Sequence, residues 1–185
     1  MPNNSPHVLL VIDVQKGFVT PCSQHIVEPL ESLQYDFDHV VFARFYNPDR
    51  SPFRRILKYY KLAPQSAEAQ LALEPRPDAT FIDRPLYTCV TPALLAQLKA
   101  WDADTVHIAG IATEACVLKT AVDLFEHDIR PLVLEDMCAS DKGAEFHDTA
   151  LKVIGKLIDP GNIIHSGLHD AAPGQDVTAP YPKFM

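Results

Sequence analysis

The chain predicts an α/β fold: a three-layer α/β/α domain built on a doubly wound, six-stranded parallel sheet in the order 3-2-1-4-5-6. Three observations predict it. Short runs such as His7–Ile12 and Val106–Ala109 are apolar without alternation, the signature of strands buried on both faces. These runs alternate with amphipathic segments of helical period, the arrangement that makes parallel sheets covered on both sides. Finally, 185 residues, 47% hydrophobic and 22% charged, suit one domain with a real core.

The elements follow in order. His7-Val-Leu-Leu-Val-Ile-Asp13-Val-Gln15 is the first strand, an apolar run ending on a carboxylate, with Asp13 and Gln15 at its carboxyl end. Phe18 to Cys22 reads as loop around Thr20-Pro21, and Val27 to Tyr35 as a short helix. Asp38 to Arg44 is the second strand. Asn47-Pro-Asp-Arg-Ser-Pro52 is turn chemistry, and Phe53 to Tyr60 a short helix whose Arg54, Arg55 and Lys58, with Lys61, form a basic cluster, read first as a solvated face and second as a surface gathering anionic substrates. Thr80 to Asp83 is a short third strand stopped by Pro85, with Arg84 at its end. Thr91 caps a helix over Pro92 to Trp101, proline standing at its first position. Val106 to Ala109 is the fourth strand, turned by Gly110 into a helix through Glu126. Arg130 to Asp136, a helix over Ala144 to Ile158, and Asn162 to Ile164 complete the domain, residues 1–165. Residues 166–185, with Pro173, Gly174, Pro180 and Pro182, read as an extended or flexible tail.

Net charge of -8 argues against nucleic acid or an anionic membrane as partner. No window approaches the 18 apolar residues of a membrane span, and the N-terminus lacks a basic segment followed by an apolar stretch. The expected location is cytoplasmic. Cys22, Cys89, Cys116 and Cys138 form no C-x-x-C pair, so free thiols are expected.

The chemistry centres on Cys116. With Thr113 as N-cap, Cys116 falls in a helix's first turn, where backbone N–H groups and the helix dipole favour a thiolate. The plainer alternative is a small buried hydrophobe. Strand order decides between them: strands one and four are neighbours, and the ligand crevice opens at their carboxyl ends. Asp13 and the turn before Cys116 then face one another, which assigns Cys116 as nucleophile and Asp13 as its proton partner.

Assembled, the chain resembles the isochorismatase-like cysteine hydrolases, which include nicotinamidases and N-carbamoylsarcosine amidase. The likeness covers about residues 7 to 165. It rests on Val11-Ile-Asp13-Val-Gln15, Ser51-Pro-Phe53, Asp83-Arg84-Pro-Leu-Tyr87, Gly110-Ile-Ala-Thr-Glu-Ala-Cys116-Val117 and Leu134-Glu-Asp136-Met-Cys-Ala-Ser140. The resemblance implies the isochorismatase-like fold and a catalytic set of Asp13, Arg84 and Cys116, with Asp13 as general base and Cys116 forming a thioester. It also implies a non-proline cis peptide at Ile111-Ala112, with the N–H groups of Ala112 and Cys116 as oxyanion hole. Gln15, Phe18, Phe53 and Tyr87 are the expected substrate contacts, and a homo-oligomer, dimer or tetramer, is the expected assembly.

Two departures from the family pattern stand out. The family lysine maps onto Arg84, which keeps the charge but cannot give up a proton. An arginine fork facing substrate would suit a carboxylate, so a small molecule bearing an acid group is one candidate. Where nicotinamidases carry metal ligands, this chain reads Arg44-Phe-Tyr-Asn47, so neither a catalytic metal nor another cofactor is expected, and His39 and His107 are expected away from the site. The leading expectation is a metal-independent hydrolase of a C–N bond, in which iodoacetamide reaches Cys116 ahead of Cys22, Cys89 and Cys138. A ligand-binding pseudoenzyme and an isochorismatase-type vinyl ether hydrolase are the alternatives.

Overall fold

The computed structural model describes residues 5–167. Its strands are β1 (Val8–Ile12), β2 (His39–Phe45), β3 (Thr80–Arg84), β4 (Thr105–Ile111), β5 (Arg130–Ala139) and β6 (Ile163–Ile164). They form one sheet, ordered β3-β2-β1-β4-β5-β6, with every pairing parallel. The helices are α1 (Val27–Leu33), α2 (Pro52–Arg55), α3 (Pro92–Ala100), α4 (Leu118–Glu126) and α5 (Ala144–Ile158).

Strand alternation divides the core into two layers. Leu10, Ile12, Ala43, Val106 and Ile108 face α3, α4 and α5 through Leu94, Leu98, Ala121, Leu124 and Ile154. Leu9, Val11, Phe42, Ala109 and Ile111 face the other way, onto Leu30 and Leu33 of α1 and onto Phe37 and Leu73. β1 lies at the centre with all five residues buried, which is why its sequence shows no polar alternation. Among the described residues no helix is long and apolar enough to cross a membrane.

The structure differs from the expected elements at three places. Gly110 does not end the fourth strand but lies inside it, at φ +126°, where the β4–β5 register shifts. A Cβ there would sit 2.0 Å from the Ile12 carbonyl oxygen, so only glycine lets β4 pass so close to β1. The expected helix over Phe53–Tyr60 stops at Arg55: Ser51 caps it by accepting from the Arg54 N–H at 3.1 Å, but the following Ile56 and Leu57 find no core and are exposed. Thr113 is not an N-cap. Residues Thr113–Val117 form a wide π-type turn preceded by Ala112, and the Thr113 hydroxyl instead meets His147 Nδ1 at 2.8 Å. Of the expected tail only Ser166 and Gly167 are described; residues 168–185 lie outside the described ones.

Candidate active site

The crevice at the carboxyl ends of β1, β3 and β4 receives three side chains from three strand ends. Asp13 follows β1 in the left-handed region at φ 54°, a conformation that aspartate tolerates better than most residues. Its N–H is anchored to the Ala43 carbonyl at 2.9 Å. Arg84, the last residue of β3, donates from both terminal nitrogens to the two Asp13 oxygens, each at 2.8 Å. The pair is sealed, with side-chain exposures of 1% and 0%. Cys116 lies in the π-type turn after β4, which begins at the cis peptide Ile111-Ala112; the Ala112 carbonyl accepts from the N–H groups of Ala115 and Val117.

The electrostatics of the thiol differ from the sequence expectation. Burial, and then the adjacent Asp13 charge, push the Cys116 pKa well above the ordinary thiol value, while Arg84 pulls it down less strongly. Burial and Asp13 thus oppose the thiolate that a helix's first turn would favour. Cys22 is the exposed free cysteine, and Cys89, Cys116 and Cys138 are buried. Arg84 is the converse case: burial works against its charge, but Asp13 and the nearby thiols outweigh burial and its pKa is raised.

The bidentate pairing also corrects the reason given for a carboxylate-bearing substrate, since the fork that would receive it is filled by Asp13. Gln15 is held by backbone. It is fully buried, and its amide donates to the carbonyls of Phe45 (3.0 Å) and Ala69 (2.7 Å) and accepts from the Phe45 N–H (2.8 Å). So held, the side chain joins the ends of β1 and β2 and lines the cavity beside the ends of β2 and β3. Arg44 turns to Asp83 at 2.6 Å and lies over the Phe81 ring.

Phe18, Phe53 and Tyr87 belong to one aromatic series with Phe45. The ring centroids are 6.1 Å apart for Phe18–Phe45, 4.8 Å for Phe45–Phe53 and 4.8 Å for Phe53–Tyr87, the last two edge-to-face. Burial and then the Cys116 charge raise the Tyr87 pKa, which puts this phenol within electrostatic reach of the thiol. Three neighbours escaped the sequence reading. Tyr59 is raised by burial and then by Asp141, Glu68, Asp13 and Cys116. Cys89, fully buried, is raised chiefly by burial and interacts with both Arg84 and Asp13. Phe45 joins the aromatic series from inside β2. Only the recurrence of aromatics at Phe53, Tyr59 and Tyr87 could have signalled the Tyr59 position.

Among the described residues no three His, Cys, Asp or Glu side chains gather to hold a metal ion. A cavity of about 600 Å³ beside the ends of β2 and β3 is lined by Arg44, Tyr46, Ser66, Gln70 and Asp83, among others, and includes none of Asp13, Arg84 or Cys116. His39 begins β2 and stacks on Trp101 at 4.1 Å, while His107 packs against His7 and Phe37. Both lie toward the starts of their strands, opposite the crevice.

A doubly wound α/β domain with a buried Asp–Arg pair beside a cysteine at a strand-to-helix turn defines a recognisable class. The isochorismatase domain model matches residues 7–159, and the chain belongs to that family. Its fold is similar to that of an isochorismatase-like hydrolase from Alkaliphilus metalliredigens: 22% identity, TM-score 0.77, covering 86% of this chain and 94% of that one. It is also similar to the pyrazinamidase/nicotinamidase of Streptococcus mutans UA159, with 20% identity, TM-score 0.74, and 85% and 99% of the two chains covered. The N-carbamoylsarcosine amidase of Thermoplasma acidophilum gives 22% identity, TM-score 0.71, and coverages of 81% and 93%. No curated protein sequence matches the chain.

Proposed function

We propose that the protein is a metal-independent cysteine hydrolase that cleaves the C–N bond of a small amide or carbamoyl compound through a Cys116 thioester. The observation that carries this reading is the buried Asp13–Arg84 pair set against the Cys116 thiol. Thiol, carboxylate and guanidinium together sum to zero charge. Moving the thiol proton onto Asp13 keeps that sum, whereas releasing it to solvent would leave an unbalanced buried anion. A high resting thiol pKa therefore suits a nucleophile that is activated only as Asp13 takes its proton.

The remaining steps follow from proton balance. The Cys116 sulfur attacks the carbonyl carbon, and the developing oxyanion accepts from the N–H groups of Ala112 and Cys116. As the C–N bond breaks, Asp13 hands its proton to the departing nitrogen. Water then attacks the thioester and gives a proton to Asp13; the acid leaves, and that proton returns to sulfur. Arg84 never deprotonates, so all proton traffic falls to Asp13, and Arg84 acts by charge and by fixing the carboxylate in its fork.

Phe53 and Tyr87 support a substrate pocket on one side of Cys116. We also propose a homo-oligomer, supported by the exposed Phe125, Phe146, Val153 and Leu157 on α4 and α5; sedimentation velocity reporting a monomer would exclude it. The catalytic test is ammonia or amine release from a panel of small amides and carbamoyl compounds, with Cys116→Ala and Asp13→Asn as controls. Turnover by the parent and none by either variant is the expected result. A silent panel with the parent protein would favour the ligand-binding pseudoenzyme instead, the reading to which the arginine at the lysine position lends weight.

A further inference from the structure

Residues 50–61 run against the charge of the rest of the chain. They hold five basic side chains and no acidic one, in a protein of net charge -8. Arg54 is taken up by Asp49 at 3.0 Å. Arg50, Arg55, Lys58 and Lys61 are exposed and make no ion pair among the described residues. Arg55 Nε donates to the Arg50 carbonyl at 3.3 Å, and Lys58 Nζ to the Arg55 carbonyl at 2.8 Å, so these charges stay within the segment. Among them stand Ile56, Leu57 and Tyr60, exposed by 69%, 59% and 63%. The segment is fastened at its base. The Asn47 amide donates to the carbonyls of Tyr59 (2.8 Å) and Lys61 (3.0 Å), the Tyr59 N–H donates to the Phe53 carbonyl at 3.0 Å, and Phe53 and Leu62 are buried with Phe45. Ile56 and Leu57 therefore sit at the outer turn, just before Lys58 in the left-handed region at φ 56°.

Large aliphatic side chains kept in water beside one another mark a surface that meets something else. An aliphatic pair ringed by cations fits a bilayer bearing anionic lipid. The apolar side chains and the tyrosine ring enter the headgroup boundary, and lysine and arginine stems run along them to set their charges on lipid phosphate. A second copy meeting this patch about a two-fold axis would bring like charges together. The α4–α5 face suits such a copy better, since its exposed Glu145, Lys152 and Lys156 carry both signs. Nucleic acid phosphates would take the cations and give the aliphatic pair no place. Net charge alone argues against an anionic membrane, but at physiological salt exposed charges more than about 8 Å away are largely screened, so the segment's own sign governs close approach. We propose that residues 50–61 seat the protein on an anionic lipid surface, with Ile56, Leu57 and Tyr60 entering the interface and the four unpaired cations holding headgroup phosphates. This goes beyond the hydrolase reading and does not depend on it.

The test sediments the full chain with vesicles of phosphatidylcholine alone and of equal parts phosphatidylcholine and phosphatidylglycerol. Binding to the mixed vesicles should be at least about tenfold tighter than to the neutral ones and should fall as salt is added. Lys58→Gln and Lys61→Gln should each weaken it about fivefold, the effect of one basic side chain at such a surface. Ile56→Ser/Leu57→Ser should weaken it further, at an unchanged urea midpoint, because neither side chain packs in the core. Tyr35→Ser, which removes an exposed ring outside the segment, should leave binding as it is. No binding to the mixed vesicles, equal binding to both kinds, or equal losses in Tyr35→Ser and the segment variants overturns the proposal. Binding that is indifferent to Ile56→Ser/Leu57→Ser and is displaced by an RNA oligonucleotide overturns it in favour of a polyanion. A dimer that Ile56→Ser/Leu57→Ser splits in sedimentation velocity, without vesicle binding by the parent, overturns it in favour of a second copy.

Discussion

Arg76 and Arg84 are both buried, and both are followed by proline, yet they do different things. Arg76 donates to the carbonyls of Gln34 (3.1 Å), Phe37 (2.7 Å) and Asp38 (2.9 Å) and meets Asp78, whose side chain is 71% exposed. It ties the loop before β3 to the segment between α1 and β2 and keeps its counter-ion in water. Arg84 gives its fork to a carboxylate that is wholly buried. A guanidinium among backbone carbonyls is a structural tie; one that neutralises a buried acid beside a thiol sets the charge available for chemistry. The partner, and not the burial, distinguishes the two arginines.

Removing Arg84 should give the largest effect. Arg84→Met leaves Asp13 buried without its counter-charge, which costs about 3–5 kcal/mol, read as a lower urea midpoint at unchanged m-value. Asp13→Leu/Arg84→Met should recover most of that loss, since a buried ion pair replaced by apolar groups is often neutral, while amide turnover stays absent. If the double variant were as unstable as the single one, the pair would be doing more than balancing charge.

His107 sharpens the comparison with a third way to bury a basic group, namely to discharge it. It is 4% exposed against His7 and Phe37, and burial pulls its pKa down to about 4 from an ordinary 6.5. Below pH 6.5 the unfolded chain binds the proton that the folded one refuses. Its neutral burial therefore contributes fully above pH 6.5 and is lost as pH falls toward 4, by roughly 3 kcal/mol at most. His107→Phe should flatten the acid limb of stability between pH 6.5 and 4, measured by urea melts across that range. An unchanged limb would assign acid sensitivity to other groups.

The comparison also explains what the sequence could and could not reveal. Strand identity and order follow from uniform apolar runs and helical period, because a doubly covered sheet leaves little freedom in where such segments go. Asp13, Arg84 and Cys116 stand out because each follows or ends a strand at the one sheet edge where ligands bind. What escaped depends on distances across the fold. The Asp13–Arg84 pair joins residues 71 apart in sequence, and its closure turns a candidate substrate receptor into an internal partner. That Gln15 is held at both ends of its amide, by Phe45 and Ala69, likewise depends on segments far from it in sequence. The rise in the Cys116 pKa comes from burial and from a neighbouring carboxylate, which local helix position does not encode.

The smallest effect belongs to Arg76→Lys. Lysine keeps the charge and one or two of the carbonyl contacts but cannot span acceptors on Gln34, Phe37 and Asp38 together, because its ammonium is a single point on a flexible stem. Net hydrogen bonds from charged donors contribute about 1.5–3 kcal/mol each, and one such bond is the expected loss. Turnover per folded molecule should match the parent, since none of these contacts reaches the crevice. Arg84→Lys provides the opposing half: it preserves the charge sum with Asp13 but gives up the bidentate hold on the carboxylate. Its loss should appear in turnover more than in the melt. If Arg76→Lys lowered turnover as much as Arg84→Lys does, the division between a tying arginine and a charge-setting one would fail.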